Sequence, residues 1–347
     1  MEKLFRQNRC FIIAEAGVNH NGDIEIAKKL IDASKEAGVD AVKFQTFKAE
    51  NLVTKDAPKA NYQVDTTGSG TQYEMLKKLE LSFEEHIILK KYAEEKGLIF
   101  ISTPFDFESV DLLEKLNIDL YKISSGDLTN IPLLKYIAKL NKPMIVSTGM
   151  ANLAEVEFAV NAIKEEGNDK IVLLHCTSNY PTNFEDVNLK AMLTLKDAFK
   201  LPVGYSDHTL GIEVPIAAAT MGAVVIEKHF TLDKHMEGPD HRASLNPQEL
   251  KDMVNSIRNI EKAMGDGIKR CNKNEEKSRY VSRKSIVAKR RIVKGEIITI
   301  DMLYFKRPEK GLSPNMLEYI LGKEATVDIE EDEFINFKKI GDGCGKE

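Results

Sequence analysis

VGYSDHTLGIEVPIAAATMGAVVIEKHF, residues 203–230, places two short β-rich apolar runs on either side of a helical stretch. The first run, 203–206, leads into His208, and the second, 224–230, contains Glu227 and His229. Ser206 and His208 are two apart, as are Glu227 and His229. In an extended strand, residues two apart share a face. Two neighbouring parallel strands with this pattern would therefore present two imidazoles on one face at matching heights.

Six further runs of the same kind lie upstream, at 11–16, 41–47, 98–104, 120–124, 143–147 and 171–176. Amphipathic helices with start signals separate most of them. Asp23 can cap a helix over 24–37 that stops at Gly38, Ser82 and Glu85 form a capping box, and Asn246, Pro247 and Glu249 open a helix ending near Gly265. Continuous apolar strands alternating with helices imply a parallel sheet. Eight such units imply a closed TIM (β/α)8 barrel of about 250 residues. A doubly wound open sheet is the alternative, but the first strand is followed by Gly17 and Gly22 rather than a GxGxxG turn.

The expected boundaries are a barrel domain over 1–268, a polar and basic linker over 269–284 that includes NKNEEKSR, and a small β-rich domain over 285–347. In the last, a turn is expected at Lys294–Gly295 and a short helix around 314–321.

The chain has 347 residues, 42% of them hydrophobic and 30% charged, with a net charge of −5. A nucleic-acid or membrane-surface partner would select a basic face, so neither is expected. The four cysteines, Cys10, Cys176, Cys271 and Cys344, show no CxxC spacing. Neither a zinc knuckle nor a disulfide framework follows, and a reducing cytoplasm is the expected location. Residues 1–17 hold no signal-like apolar core, and no window reaches the length of a membrane span.

Chemistry in such a barrel sits at the C-terminal strand ends. Those ends are polar here: Glu15, Asn19 and His20; Lys43 and Gln45; Ser102 and Thr103; Lys122, Ser124, Ser125 and Asp127; Ser147 and Thr148; His175 and Thr177, then Ser178 and Tyr180; Ser206 and His208; Glu227 and His229. Buried polar groups are costly unless partnered or used, and eight strands in concert point to a site. His208 and His229 are either metal ligands, with Asp207 and Glu227 as acceptors behind them, or hydrogen-bonded core histidines. Lys43 and Lys122 either pair with carboxylates or receive an anion. Glu15 is either their partner or a general base. The serines and threonines either bind an anion or cap helices.

The ordered motifs IAEAGVNHNG (13–22), VKFQTFKAENL (42–52), ISTPFD (101–106), YKISSGD (121–127), STGM (147–150), LLHCTSNYPT (173–182), GYSDHT (204–209), IEKHFTLD (226–233) and GPDH (238–241) resemble the sialic acid synthase family. RKSIVAKRRIVKGEIIT (283–299) and FKRP (305–308) are similar to that family's antifreeze-like (SAF, β-clip) domain. The resemblance implies a transferase that condenses phosphoenolpyruvate with an N-acylated mannosamine-type sugar. It implies Mn²⁺ or Mg²⁺ on His208 and His229, and places Lys43, Thr103, Lys122, Ser125 and Ser206 around phosphoenolpyruvate. Glu15 is implied in proton management, and Gln45, Asp127, Tyr180 and Asp240 at the sugar. Arg307 is implied to reach the mouth of a partner's barrel in a domain-swapped homodimer. Position 127 is Asp where many bacterial members have Glu, and position 178 is Ser where some have Asn, which leaves the sugar open. N-acetylneuraminate synthase is the first expectation. The alternative is an N,N'-diacetyllegionaminate synthase using 2,4-diacetamido-2,4,6-trideoxymannose. Two other classes are a Schiff-base aldolase with Lys43 or Lys122 as nucleophile, and a non-enzymatic carbohydrate-binding protein.

Overall fold

The computed structural model describes residues 9–341; Cys344 and both chain ends lie outside them. Two compact units divide at 265/266. The first holds eight parallel strands: β1 (Phe11–Gly17), β2 (Ala41–Thr46), β3 (Ile99–Pro104), β4 (Tyr121–Ile123), β5 (Met144–Ser147), β6 (Ile171–Cys176), β7 (Val203–Asp207) and β8 (Val225–His229). Their order is β3-β2-β1-β8-β7-β6-β5-β4, so β1 pairs with both β2 and the last strand. β4 returns beside β3 and nearly closes the ring. The expected barrel is thus the observed one.

Helices cover the outside where their signals stand. Asp23 accepts from the amides of Glu25 and Ile26 ahead of helix Ile24–Ala37, which ends at Gly38 with φ 82°. The Ser82–Glu85 box opens Phe83–Glu95, and Asn246 with Glu249 opens Pro247–Met264. None of the described helices is long and apolar enough to cross a membrane.

The barrel interior shows why polar strand ends mark a site. Phe11, Ile13, Ala41, Ile101, Leu120, Ile145, Val172, Leu174 and Val225 form one buried cluster inside the ring. Two residues further along the same strands come Glu15, Lys43, Thr103, Lys122, Ser147, Cys176 and Glu227, each at the pleat position that continues the inward face. Gly204 keeps the ring tight at β7, because a Cβ there would sit 2.3 Å from the Val225 carbonyl oxygen.

This alternation corrects β6. His175, expected among the strand-end groups, faces outward: its Nε2 bonds the Val187 carbonyl at 2.8 Å and its ring lies beside Tyr205. Cys176 takes the inward position.

In the second unit, Ser285–Ala288 pairs antiparallel with Leu303–Lys306, and Glu324–Ala325 with Ile340–Gly341. Ile286, Ile292, Ile298, Ile320, Ile329 and Ile335 fill its core. The turn at Lys294–Gly295 is present, with Gly295 at φ 89°. Helical structure around 314–321 is split into a 3-10 turn, Pro314–Met316, and a helix, Leu317–Ile320. Residues 269–284 are exposed throughout, yet they carry a helix, Glu276–Ser282. Its Tyr280 carbonyl accepts from the Glu309 amide, and Arg279 pairs with Glu309, so side contacts hold a segment too short to be helical alone.

Candidate functional site

A cavity of about 460 Å³ opens at the C-terminal strand ends, lined only by residues of the barrel unit. At its floor, Lys43 Nζ lies 2.9 Å from Glu15 Oε2 and 3.6 Å from Glu227 Oε2. Lys122 Nζ lies 3.4 Å from Glu227 Oε1. Thr103 accepts from Lys43 at 3.0 Å, Ser147 accepts from Lys122 at 2.7 Å, and Ser206 donates to Glu227 at 3.0 Å. Gln45 donates to Glu15 at 3.2 Å. All four ionisable groups are buried.

Both lysines are paired with carboxylates. Thr103, Ser125, Ser147 and Ser206 cap no described helix; the side-chain caps of the barrel unit are Asp23, Thr71, Ser82, Asp106, Asn130, Asn152 and Asn246. Their hydroxyls are directed into the cavity network instead.

The electrostatics of the floor are uneven. Burial favours the neutral form of every group, but Lys122 and Lys43 outweigh it at Glu227 and hold that carboxyl below its usual range. Glu15 goes the other way, because burial and the Glu227 charge together exceed the pull of Lys43. Burial lowers Lys43 too, but Glu15 and Glu227 more than restore it. Burial leaves Lys122 lowered despite Glu227. Glu227 is therefore the fixed anion between two ammonium groups, and Glu15 is the carboxyl able to exchange a proton near neutral pH. Glu227 was named only as an acceptor behind the histidines; closure of the ring makes it the hub.

His208 and His229 stand at the rim with ring centroids 5.4 Å apart. His208 Nδ1 is 2.7 Å from the Thr177 carbonyl, an acceptor only, so Nδ1 carries the proton and Nε2 keeps its lone pair. His229 Nδ1 is buried without a hydrogen-bond partner. Burial lowers both pKa values, that of His229 well below 6.5 with help from His208 and Lys43, so both rings are neutral at pH 7. Two neutral imidazoles with free nitrogen lone pairs fit a divalent cation. Among the described residues no cluster of three or more His, Cys, Asp or Glu donors exists, so further positions would fall to water or substrate oxygens. Asp207, expected as an acceptor behind them, turns to the opposite face and pairs with Lys228 at 2.5 Å.

Tyr180 lies over His208, with centroids 4.2 Å apart, and Tyr62 stacks on Tyr180 at 5.4 Å. Asp240 Oδ2 is 3.9 Å from His229 Nδ1. Ser125 Oγ is 3.0 Å from Cys176 Sγ and accepts the Gly149 amide at 3.0 Å. A Cβ on Gly149 would meet Ser178 Oγ at 2.3 Å and Ser125 Oγ at 2.8 Å, so only glycine lets that amide reach the cavity wall.

Of the strand-end candidates, Asn19, His20, Ser102, Thr148, His175 and Thr177 are outside this lining, and so are two residues that the family resemblance placed at the sugar. Asp127 is buried behind the lining, its carboxylate bonded by Ser124 and Asn130. Arg307 is in the second unit, exposed, just past strand Leu303–Lys306. Sequence reasoning missed Tyr62, Cys176 and an apolar wall. Val18, Met75, Leu76 and Leu79 belong to a hydrophobic cluster separate from the barrel core, with Phe105 packed on it, and all five line the cavity. Met75, Leu76 and Leu79 come from the long excursion at 48–80, where neither period is sustained.

Residues 30–269 match the NeuB family and residues 283–340 match the SAF domain. The chain belongs to the NeuB family. It is a sugar-acid synthase of the condensing, transferase type. It is 56% identical to the N,N'-diacetyllegionaminic acid synthase of Campylobacter jejuni, over 94% of this chain and 99% of the relative. It is 52% identical to the enzyme of that name from Legionella pneumophila, over 92% and 91%. The N-acetylneuraminic acid (sialic acid) synthetase from Leptospira borgpetersenii, solved in complex with citrate, aligns with TM-score 0.69 and 36% identity, covering 78% of this chain and 90% of that one.

Asp240 offers a test of the site's cost to the NeuB fold. Burial raises its carboxyl from 3.8 to about 6, and neutral His229 gives no compensation. A raised carboxyl costs nothing below its unfolded value and the full amount above its folded one. A shift of this size corresponds to about 3 kcal/mol. Asp240→Asn in metal-free protein is therefore expected to match native stability near pH 4. Its advantage should grow as pH rises through about 6. Urea denaturation across this range checks it, and a constant difference at all pH values would contradict the assignment.

Proposed function

We propose that the protein condenses phosphoenolpyruvate with open-chain 2,4-diacetamido-2,4,6-trideoxymannose, yielding N,N'-diacetyllegionaminate and phosphate. The observation that carries this reading is the division of the cavity into a charged floor and an apolar wall at its mouth. The trideoxy sugar has a methyl where N-acetylmannosamine has its 6-hydroxyl, and a second acetamido methyl at C4. A hydroxyl buried against that wall without a partner costs about 1–3 kcal/mol, whereas a methyl gains from burial. The two legionaminic acid synthases at 56% and 52% identity support the reading over the first-expected N-acetylneuraminate, whose synthetase stands at 36%.

The floor is suited to an acid with a phosphate ester. Lys43 with Thr103, and Lys122 with Ser147, Ser125 and Ser206, supply cations and hydroxyls for the phosphate and carboxylate of phosphoenolpyruvate. Its C3 supplies the electron pair of the new carbon–carbon bond to the aldehyde carbon, and C2 becomes electron-poor. Water adds to C2 and loses a proton; the bond from C2 to the bridging oxygen then breaks, phosphate leaves with that oxygen and takes the proton of the C2 hydroxyl, and C2 becomes a ketone. Glu15 is placed to take the proton from water or to give one to the former aldehyde oxygen, since its raised pKa allows both. Bound by His208 and His229, a divalent ion, Mn²⁺ or Mg²⁺, supplies Lewis-acid polarisation of the aldehyde oxygen. Tyr180, Gln45 and Asp240 orient the sugar, with Tyr62 and the apolar wall excluding water. Arg307 from a second copy, in a domain-swapped homodimer, completes the sugar contacts.

The test is incubation with phosphoenolpyruvate, Mn²⁺ and each sugar, followed by mass analysis. The trideoxy sugar is expected to exceed N-acetylmannosamine in kcat/KM by about 10- to 200-fold, and Arg307→Ala to raise the sugar KM alone. Preference for N-acetylmannosamine would sink the substrate assignment. An adduct trapped by borohydride on Lys43 or Lys122 would replace it with Schiff-base chemistry.

A further inference from the structure

One charged pair of the barrel lies outside the cavity lining yet flanks both histidines in sequence. Lys228 and Asp207 have no exposed side-chain surface, and Nζ is 2.5 Å from Oδ2. The β7–β8 register sets these two residues opposite each other. Ser206 and Glu227 line the cavity, so the next residue on each strand points to the other face. The pair thus ties β7 to β8 one residue before His208 and His229.

Lys228 reaches further than its ion pair. Its ammonium also donates to the main-chain carbonyl of Thr209. Thr209 donates to the Asp207 carboxylate from its amide at 3.1 Å and from its hydroxyl at 3.0 and 2.9 Å. The residues before and after His208 are therefore held by a single buried ammonium group. His208 itself is fixed by Nδ1 to the Thr177 carbonyl and by its own carbonyl accepting from the Thr182 amide at 2.8 Å. Its lone-pair nitrogen is free only if the main chain at 207–209 keeps its path.

We infer that Lys228 is a positioning residue, which through Asp207 and Thr209 sets the direction in which the His208 imidazole presents its lone pair; this rests on the reading of His208 and His229 as the cation-binding pair. Stability alone is a poor reason for such a pair. Apolar residues of similar volume commonly replace a buried ion pair without loss, because desolvation offsets the attraction. A hydrophobic side chain at 228 could fill the space, but it could not donate to two oxygens on either side of His208. Partners behind a ligand typically change metal affinity by about 10- to 100-fold when removed.

The test measures Mn²⁺ binding to the metal-free full chain by calorimetry, with the electron paramagnetic resonance line shape of bound Mn²⁺ as a second readout. Lys228→Met is expected to weaken binding by about 10- to 100-fold and to broaden the signal. Thr209→Val removes only the hydroxyl's bonds and leaves the ion pair intact, so it reads the same effect in a chain that keeps its fold. It is expected to weaken binding several-fold in a chain that stays folded, with a modestly lower melting temperature from the lost hydroxyl bonds. A role confined to stability would move the melting temperature and leave affinity and line shape alone. Native affinity in Thr209→Val, and in Lys228→Met where that variant folds, beside lost binding in His208→Ala, overturns the proposal. Equal binding by the native chain and His208→Ala removes the cation reading instead, and the proposal with it.

Discussion

His229→Ala is expected to lose Mn²⁺ binding and to reduce kcat/KM for condensation by about 10²- to 10⁴-fold, since Lewis-acid activation supplies several kcal/mol and each decade takes about 1.4. The fold should survive. His229 Nδ1 has no hydrogen-bond partner, so truncation strands no polar group that the ring had satisfied. His208→Ala should show the same loss of binding with a lower melting temperature, because that ring also bonds the Thr177 carbonyl and packs on Tyr180. Steady-state kinetics with calorimetric Mn²⁺ titration decides it. Native-like turnover in either variant would end the assignment of the pair as ligands.

Lys43→Met is expected to have the second-largest effect, and to show it twice. In catalysis, loss of one cation aimed at a reacting anion costs about 10²- to 10³-fold, here as reduced kcat/KM for phosphoenolpyruvate. In stability, Lys43 is the cation within reach of both Glu15 and Glu227. Breaking a buried pair by removing one partner costs about 3–5 kcal/mol. The sign with pH follows from Glu15, whose carboxyl is already raised by burial and rises further without Lys43. A raised folded-state carboxyl loses stability as pH rises through its value. The variant should therefore be closest to native in acid and fall behind as pH increases. Denaturation at pH 5 and pH 8, beside the kinetics, reads both effects. A phosphoenolpyruvate kcat/KM near native would remove Lys43 from the reaction.

The fold was legible because its evidence is local. Each apolar run, each capping box and the Gly38 stop is contained in a few residues, and hydrophobic periods of 2 and 3.6 need no partner to be read. The strand-end polarity was legible for the same reason, and it led to Glu15, Lys43, Lys122, His208 and His229. Where a single residue of register mattered, local reading failed. His175 and Cys176 are neighbours, both plausible at a strand end, and only the pleat decided that Cys176 enters the cavity. Asp207 was adjacent to a candidate ligand, yet the same alternation turned it outward onto Lys228.

By itself the sequence determined the (β/α)8 architecture, the rim histidines, the lysines of the floor and, through its ordered motifs, membership of a sugar-acid synthase family. The tertiary structure decided who partners whom. Glu15 and Glu227 are far apart in the chain and meet only because β1 closes on β8. That closure turns two buried lysines into one ionic network with Glu227 at its centre. It also decided the shape of the mouth. Met75, Leu76 and Leu79 come from a segment without sustained periodicity, and they become an apolar wall only when Val18 and Phe105 pack against them. Periodicity records which face of an element is apolar, whereas contact between distant elements depends on ring closure and register, which short-range patterns do not encode.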